Sequence, residues 1–80
     1  MDNCLIVFAS ITTANGVRQM LARSGMTCYV VQTPRLLPVS GCSYSVKVKA
    51  ADLDKAWALV QTMGVYTKGA FSESSYTKLK

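Results

Sequence analysis

Six apolar residues, Cys4-Leu5-Ile6-Val7-Phe8-Ala9, leave no polar position on either side of a period-2 alternation. Such a run predicts a central β-strand covered on both faces. From Ala14 the period changes. Ala14, Val17, Met20 and Leu21 recur at three and four, while Arg18, Gln19 and Arg23 fall on the opposite side, as in an amphipathic helix. Ser10, Thr12 and Thr13 are candidate caps for its start, and Gly25 marks its end. Met26 to Gln32 predicts a second strand, stopped at Thr33-Pro34 because proline donates no ladder hydrogen bond. Residues 33–43 form a loop. Ser43 to Lys49 then alternates, with Tyr44, Val46 and Val48 on one face and Ser43, Ser45, Lys47 and Lys49 on a wetter one. Leu53, Ala56, Trp57 and Val60 predict a second helix over Asp52 to Met63, ended by Gly64. Val65 to Phe71 predicts a last strand at a sheet edge, interrupted by Gly69.

The order β-α-β-β-α-β carries a faint internal echo at a period of 39, in which Gly25 matches Gly64, Leu21 matches Val60 and Ala14 matches Leu53. Both point to an α+β, ferredoxin-like β-α-β-β-α-β sandwich: a four-stranded antiparallel sheet with two helices on one face. The expected organisation is one domain over residues 1–72 and a flexible C-terminal tail over 73–80, which has few apolar anchors. Because the first strand is apolar on both sides, the helix-free face is expected to expose a hydrophobic patch suited to a homodimer.

Composition narrows the function. The chain has 80 residues, 50% of them hydrophobic and 16% charged, which excludes intrinsic disorder and leaves room for one core. No apolar run approaches the ~20 residues that span a bilayer. No basic segment precedes the opening strand, so a cytoplasmic protein with no membrane partner is expected. The formal charge of +5, from 9 basic and 4 acidic residues, raises nucleic-acid binding. The basic residues are scattered, however, and the polar side of the third strand offers serine and lysine where RNA-binding sheets offer aromatics. A modestly acidic protein partner suits this surface better.

The chain has no histidine, which removes the commonest general base and metal ligand. Asp52 and Asp54 lie at the start of the second helix, where negative charge suits the dipole. No glycine-rich nucleotide motif or Cys-x-x-Cys pair occurs, so neither a cofactor nor a metal is expected. Cys4, Cys28 and Cys42 are spaced 24 and 14 apart, which suits neither a disulfide framework nor a ligand set. Cys4 and Cys28 sit in apolar strands as small hydrophobes.

Cys42 differs, because it ends the loop Thr33-Pro34-Arg35-Leu36-Leu37-Pro38-Val39-Ser40-Gly41-Cys42-Ser43. In the predicted topology the end of strand one, the start of helix one and the start of strand three share one end of the sheet. Cys42 is therefore expected near Ser10, Thr12 and Thr13, where the helix start favours an anion, with Arg35 adding a full charge. A cysteine of pKa ~8.5 is about 3% thiolate at neutral pH. Lowering it to ~7 ionises about half, for roughly 2 kcal/mol. Gly41 removes bulk beside the sulfur, and Ser40 and Ser43 keep the loop polar. Cys42 is thus either a reactive thiol or a small residue filling the start of a strand.

These residues resemble the selenium/sulfur carrier protein-like family over about residues 4–71. The resemblance is carried by Leu5-Ile6-Val7-Phe8 with Ala9-Ser10, Gly25, Thr33-Pro34-Arg35 leading to Ser40-Gly41-Cys42, Asp52-Leu53 and Gly64. It differs where relatives often carry glycine after the cysteine, here Ser43, and histidine near the first helix, here Thr12 and Thr13. The resemblance implies that Cys42 accepts and hands on a terminal sulfur or selenium atom, with donor and acceptor proteins as partners. The chain would then be a carrier, or alternatively a non-catalytic ligand- or protein-binding module of the same fold; either is favoured over an enzyme with its own turnover, a question the sequence leaves open.

Overall fold

The computed structural model describes residues 3–35, 37 and 43–80. Strand β1 spans Asn3–Phe8, helix α1 Ile11–Arg23, β2 Cys28–Gln32 and β3 Tyr44–Lys49. A 3-10 turn over Ala50–Asp52 leads into helix α2, Leu53–Met63, and β4 covers Gly69–Ser72. The sheet has the order β2-β3-β1-β4 with every pairing antiparallel, so the predicted ferredoxin-like α+β fold is observed.

Period and caps account for the elements. Ser10 caps α1, accepting from the Thr13 backbone N–H at 3.1 Å, so the helix begins earlier than its apolar stripe. At its other end Gly25 takes a left-handed φ of 88°, which lets its N–H reach the Ala22 carbonyl and that of Met26 the Leu21 carbonyl. The two bonds make a Schellman closure. Ala14, Val17, Leu21, Leu53, Ala56 and Val60 bury the helix stripes against Cys4, Ile6, Phe8, Val46 and Val48. Trp57 and Tyr44 pack at the margin of this core.

The helix-free face differs from expectation in three respects. Leu5 and Val7 are 1% and 0% exposed, because Leu37 of the loop and Phe71 of β4 pack over them, with Val31 and Tyr76 at the margin. The apolar patch expected to make a homodimer is therefore filled from within the chain. Ser43 and Ser45 are also buried on what was read as a wet face; the start of the loop covers them, and the Thr33 and Ser45 hydroxyls pair at 2.7 Å.

The third difference concerns residues 73–80, expected as a flexible tail, which fold back along β4. Ser72 N–H donates to the Thr77 carbonyl and Leu79 N–H to that of Ala70, and Phe71 bridges Lys78. Gly69, at φ 113°, permits this, since a Cβ there would stand 3.1 Å from the Lys80 carbonyl oxygen. Tyr76 turns the chain at φ 57°, a left-handed value uncommon for tyrosine, and packs on the small core. Lys47 pairs with Glu73 at 2.8 Å, and Asn3 donates to the same carboxylate.

Candidate functional site

The register brings the predicted parts to one end of the sheet. Phe8 lies opposite Tyr44, and Tyr44 opposite Gln32. The end of β1, the start of β3 and the end of β2 are thus level, and the segment joining β1 to α1 leaves from the same place. The loop is closed at its base: Thr33 N–H donates to the Ser43 carbonyl at 3.2 Å, just beyond the last β2–β3 pair. Ser43 is 5% exposed, so the residue after Cys42 is held in the packed end of the sheet, level with the end of β1. Ser40, Gly41 and Cys42 themselves lie outside the described residues.

The other end of the loop goes to the opposite side of the sheet. Leu37 N–H donates to the Pro34 carbonyl at 3.1 Å, forming a turn over Pro34, Arg35 and Leu37 that delivers Leu37 onto the helix-free face. Arg35 is exposed on that turn, and among the described residues it makes no ion pair or hydrogen bond. Ser10, Thr12 and Thr13 belong to α1, which packs on the other face. The sequence places Arg35 and these three residues around one thiol; the structure brings both groups to the same end of the sheet.

At the helix start, Ser10 Oγ receives the Thr13 N–H and donates to Thr13 Oγ1 at 3.0 Å. The Ile11 and Thr12 N–H groups precede the first intrahelical acceptor, and both residues are exposed. The positive helix end thus lies at the end of the sheet where β3 begins. Cys4 and Cys28 are sealed in the main core at 2% and 8% exposure. Cys28 Sγ donates to the Arg18 carbonyl at 3.4 Å. Burial pushes its thiol above the ordinary value, with the Arg18 charge pulling partly the other way. Neither is an available nucleophile near neutral pH.

Sequence reasoning missed two contributors. Leu37 anchors the loop, and its signal was a Leu-Leu pair inside an otherwise polar loop, because an apolar side chain there needs somewhere to dock. Tyr66, 73% exposed at the same end of the sheet, breaks the period-2 reading of the last strand and had no signal. Among the described residues no helix is long and apolar enough to cross a membrane.

A family model described as "Putative Se/S carrier protein-like" matches residues 3–72, which span every strand and both helices. No curated protein and no solved structure matches the chain.

Proposed function

The chain belongs to the family described as Putative Se/S carrier protein-like, and from that membership we propose that it carries a terminal sulfur or selenium atom on Cys42 as a persulfide or selenosulfide. The observation that carries the reading is the contrast among its thiols: Cys4 and Cys28 are closed inside the core, whereas Cys42 belongs to a loop closed at its base by the Thr33–Ser43 bond, at the end of the sheet where β1 leads into α1.

In the accepting step the Cys42 thiolate attacks the outer sulfur of a donor persulfide, R–S–SH. A new S–S bond forms, the donor's own S–S bond breaks, and its electron pair leaves on RS⁻. The product is Cys42–S–SH, with no net oxidation. Release reverses the sequence, an acceptor thiolate taking the outer atom and leaving the Cys42 thiolate. A selenosulfide donor behaves alike, with selenium in the outer position. The Ser10 to Thr13 helix start and Arg35 favour the anion through their positive potential. Pro34 sets the turn that sends Leu37 to its anchor, Ser40 and Ser43 keep the thiol's surroundings polar, and Gly41 gives access to it.

The test is loading. Native protein incubated with a low-molecular-weight persulfide is expected to gain one sulfur, mapped by mass spectrometry to Cys42, and to pass it to an added thiol. Cys42→Ser should abolish both. Full loading and transfer by Cys42→Ser would eliminate the reading and favour a ligand- or partner-binding module in which the thiol is incidental.

A further inference from the structure

We infer that the outer edge of β2 is an interface between two copies of the chain, which pair β2 against β2 about a two-fold axis at Val30. The ladder leaves that edge open. Thr33 N–H donates to the Ser43 carbonyl and continues the β2–β3 pairing one step beyond Gln32 and Tyr44. Antiparallel alternation therefore gives Thr33, Val31 and Tyr29 the bonds to β3 and turns the N–H and C=O groups of Cys28, Val30 and Gln32 outward. Among the described residues no hydrogen bond reaches that side of the strand. A row of unpaired backbone donors and acceptors is a template for another strand.

The rest of the fold says which strand. The other edge of the sheet is closed from within the chain, because Ser72 N–H donates to the Thr77 carbonyl and Leu79 N–H to that of Ala70. The β2 edge has no such cover and none of the usual protections: residues 27–33, Thr-Cys-Tyr-Val-Val-Gln-Thr, contain no charge, proline or glycine. With β4 covered, two copies can meet edge to edge only through β2 and β2, which closes a two-fold dimer and does not propagate into a filament.

The pairing is self-complementary. Val30 bonds Val30 of the second copy, and Cys28 bonds its Gln32. Tyr29, 59% exposed, falls beside the half-buried Val31 of the second copy, an aromatic and β-branched pair of the kind that stabilises sheets. Like charges stay apart. Arg18 lies level with Cys28, whose thiol bonds its carbonyl, and the two Cys28 positions stand about 13 Å apart along the strands at ~3.3 Å per residue. That exceeds the Debye length of ~8 Å at physiological salt.

Two five-residue strands make a small contact of the weak class. Sedimentation with reductant present should show mainly monomer at about 5 μM and mainly dimer at about 500 μM. Over the same range hydrogen exchange should slow several-fold at the Val30 and Gln32 amides and stay constant at Tyr29 and Val31, which already bond β3. Gln32 is exposed, so its variants keep the fold. Its side chain shares the helix side of the sheet with Tyr44, and in the dimer it stands opposite Cys28 of the second copy, near that copy's Arg18. Gln32→Lys should weaken association about tenfold and Gln32→Glu strengthen it about as much at low salt, with the gap narrowing as salt rises.

A monomer throughout the range would overturn the pairing. So would a dimer in which the Val30 amide exchanges as in the monomer and the two Gln32 variants associate equally. Protection of that amide by an added peptide of unrelated sequence, with the pure chain monomeric, would also overturn it and assign the edge to a foreign strand. The carrier reading stands or falls separately: Cys42→Ser should dimerise as the native chain does.

Discussion

The two faces of the sheet bury one central strand by different means. On the helix side Cys4, Ile6 and Phe8 meet two helices whose stripes repeat with the helical period, so any one side chain has many neighbours. On the other face Leu5 and Val7 are covered by Leu37, Phe71, Val31 and Tyr76, which come from a loop, two strands and the C-terminal segment. The first face is redundant and sets global stability. The second is a small cluster in which Leu37 couples the Cys42 loop to the sheet, so its integrity bears on the site more than on the fold.

Core truncations should break this contrast most visibly. Ile6→Ala is expected to cost about 3–4 kcal/mol, read as a lowered denaturation midpoint, since its side chain is fully buried among close-packed neighbours. Leu37→Ala is expected to cost about 2 kcal/mol, the lower end for a buried leucine, because a loop can settle into part of the gap. It should nevertheless change the rate at which Cys42 is alkylated, while Ile6→Ala, measured under conditions where it stays folded, should leave that rate alone. Equal costs with no change in alkylation for Leu37→Ala would erase the distinction between the faces.

A smaller effect is expected at the C-terminal segment. Tyr76→Ala removes a half-buried ring from the helix-free cluster and, because alanine keeps the Cβ, leaves the left-handed strain at φ 57° in place. The loss should be about 1 kcal/mol. Hydrogen exchange should quicken at Ser72 and Leu79, whose N–H groups bond within this hairpin, and not in α1.

The smallest effect concerns Glu73, whose carboxyl is held below its usual 4.5 by the Lys47 hydrogen bond first, with burial opposing it and Asn3 and the Lys47 charge assisting. A depressed carboxylate stabilises the fold above its unfolded pKa, and that contribution is lost as pH falls through the folded value. The pair is partly exposed, so Glu73→Gln should cost under about 1 kcal/mol at neutral pH. It should flatten the decline in stability below about pH 4.5; an unchanged acid limb would show that the pair contributes nothing.

How far the chain could be read from its sequence follows the same division. The opening strand, both helix stripes and the closing glycines Gly25 and Gly64 were legible, because burial on the helix side imposes a period. The helix-free face was not, because Leu37 and Tyr76 act as isolated side chains that no period announces. Ser45 reads as solvated by alternation alone, and it is buried because a hydroxyl from outside the strand, Thr33, satisfies it. At the candidate site, strand order was enough to bring the start of β3 level with the end of β1, where α1 follows. It could not tell that the turn at Pro34 carries Leu37 onto the helix-free face.

Carriage on Cys42 is tested most directly by site-resolved alkylation of all three cysteines in the native protein from pH 5 to 10, read by mass spectrometry. Cys42 is expected to react alone, with a midpoint below the ordinary thiol pKa of ~8.5, while Cys4 and Cys28 stay protected until the fold opens. Alkylation of Cys28 or Cys4 ahead of Cys42, or a Cys42 midpoint at or above the ordinary value, would contradict it.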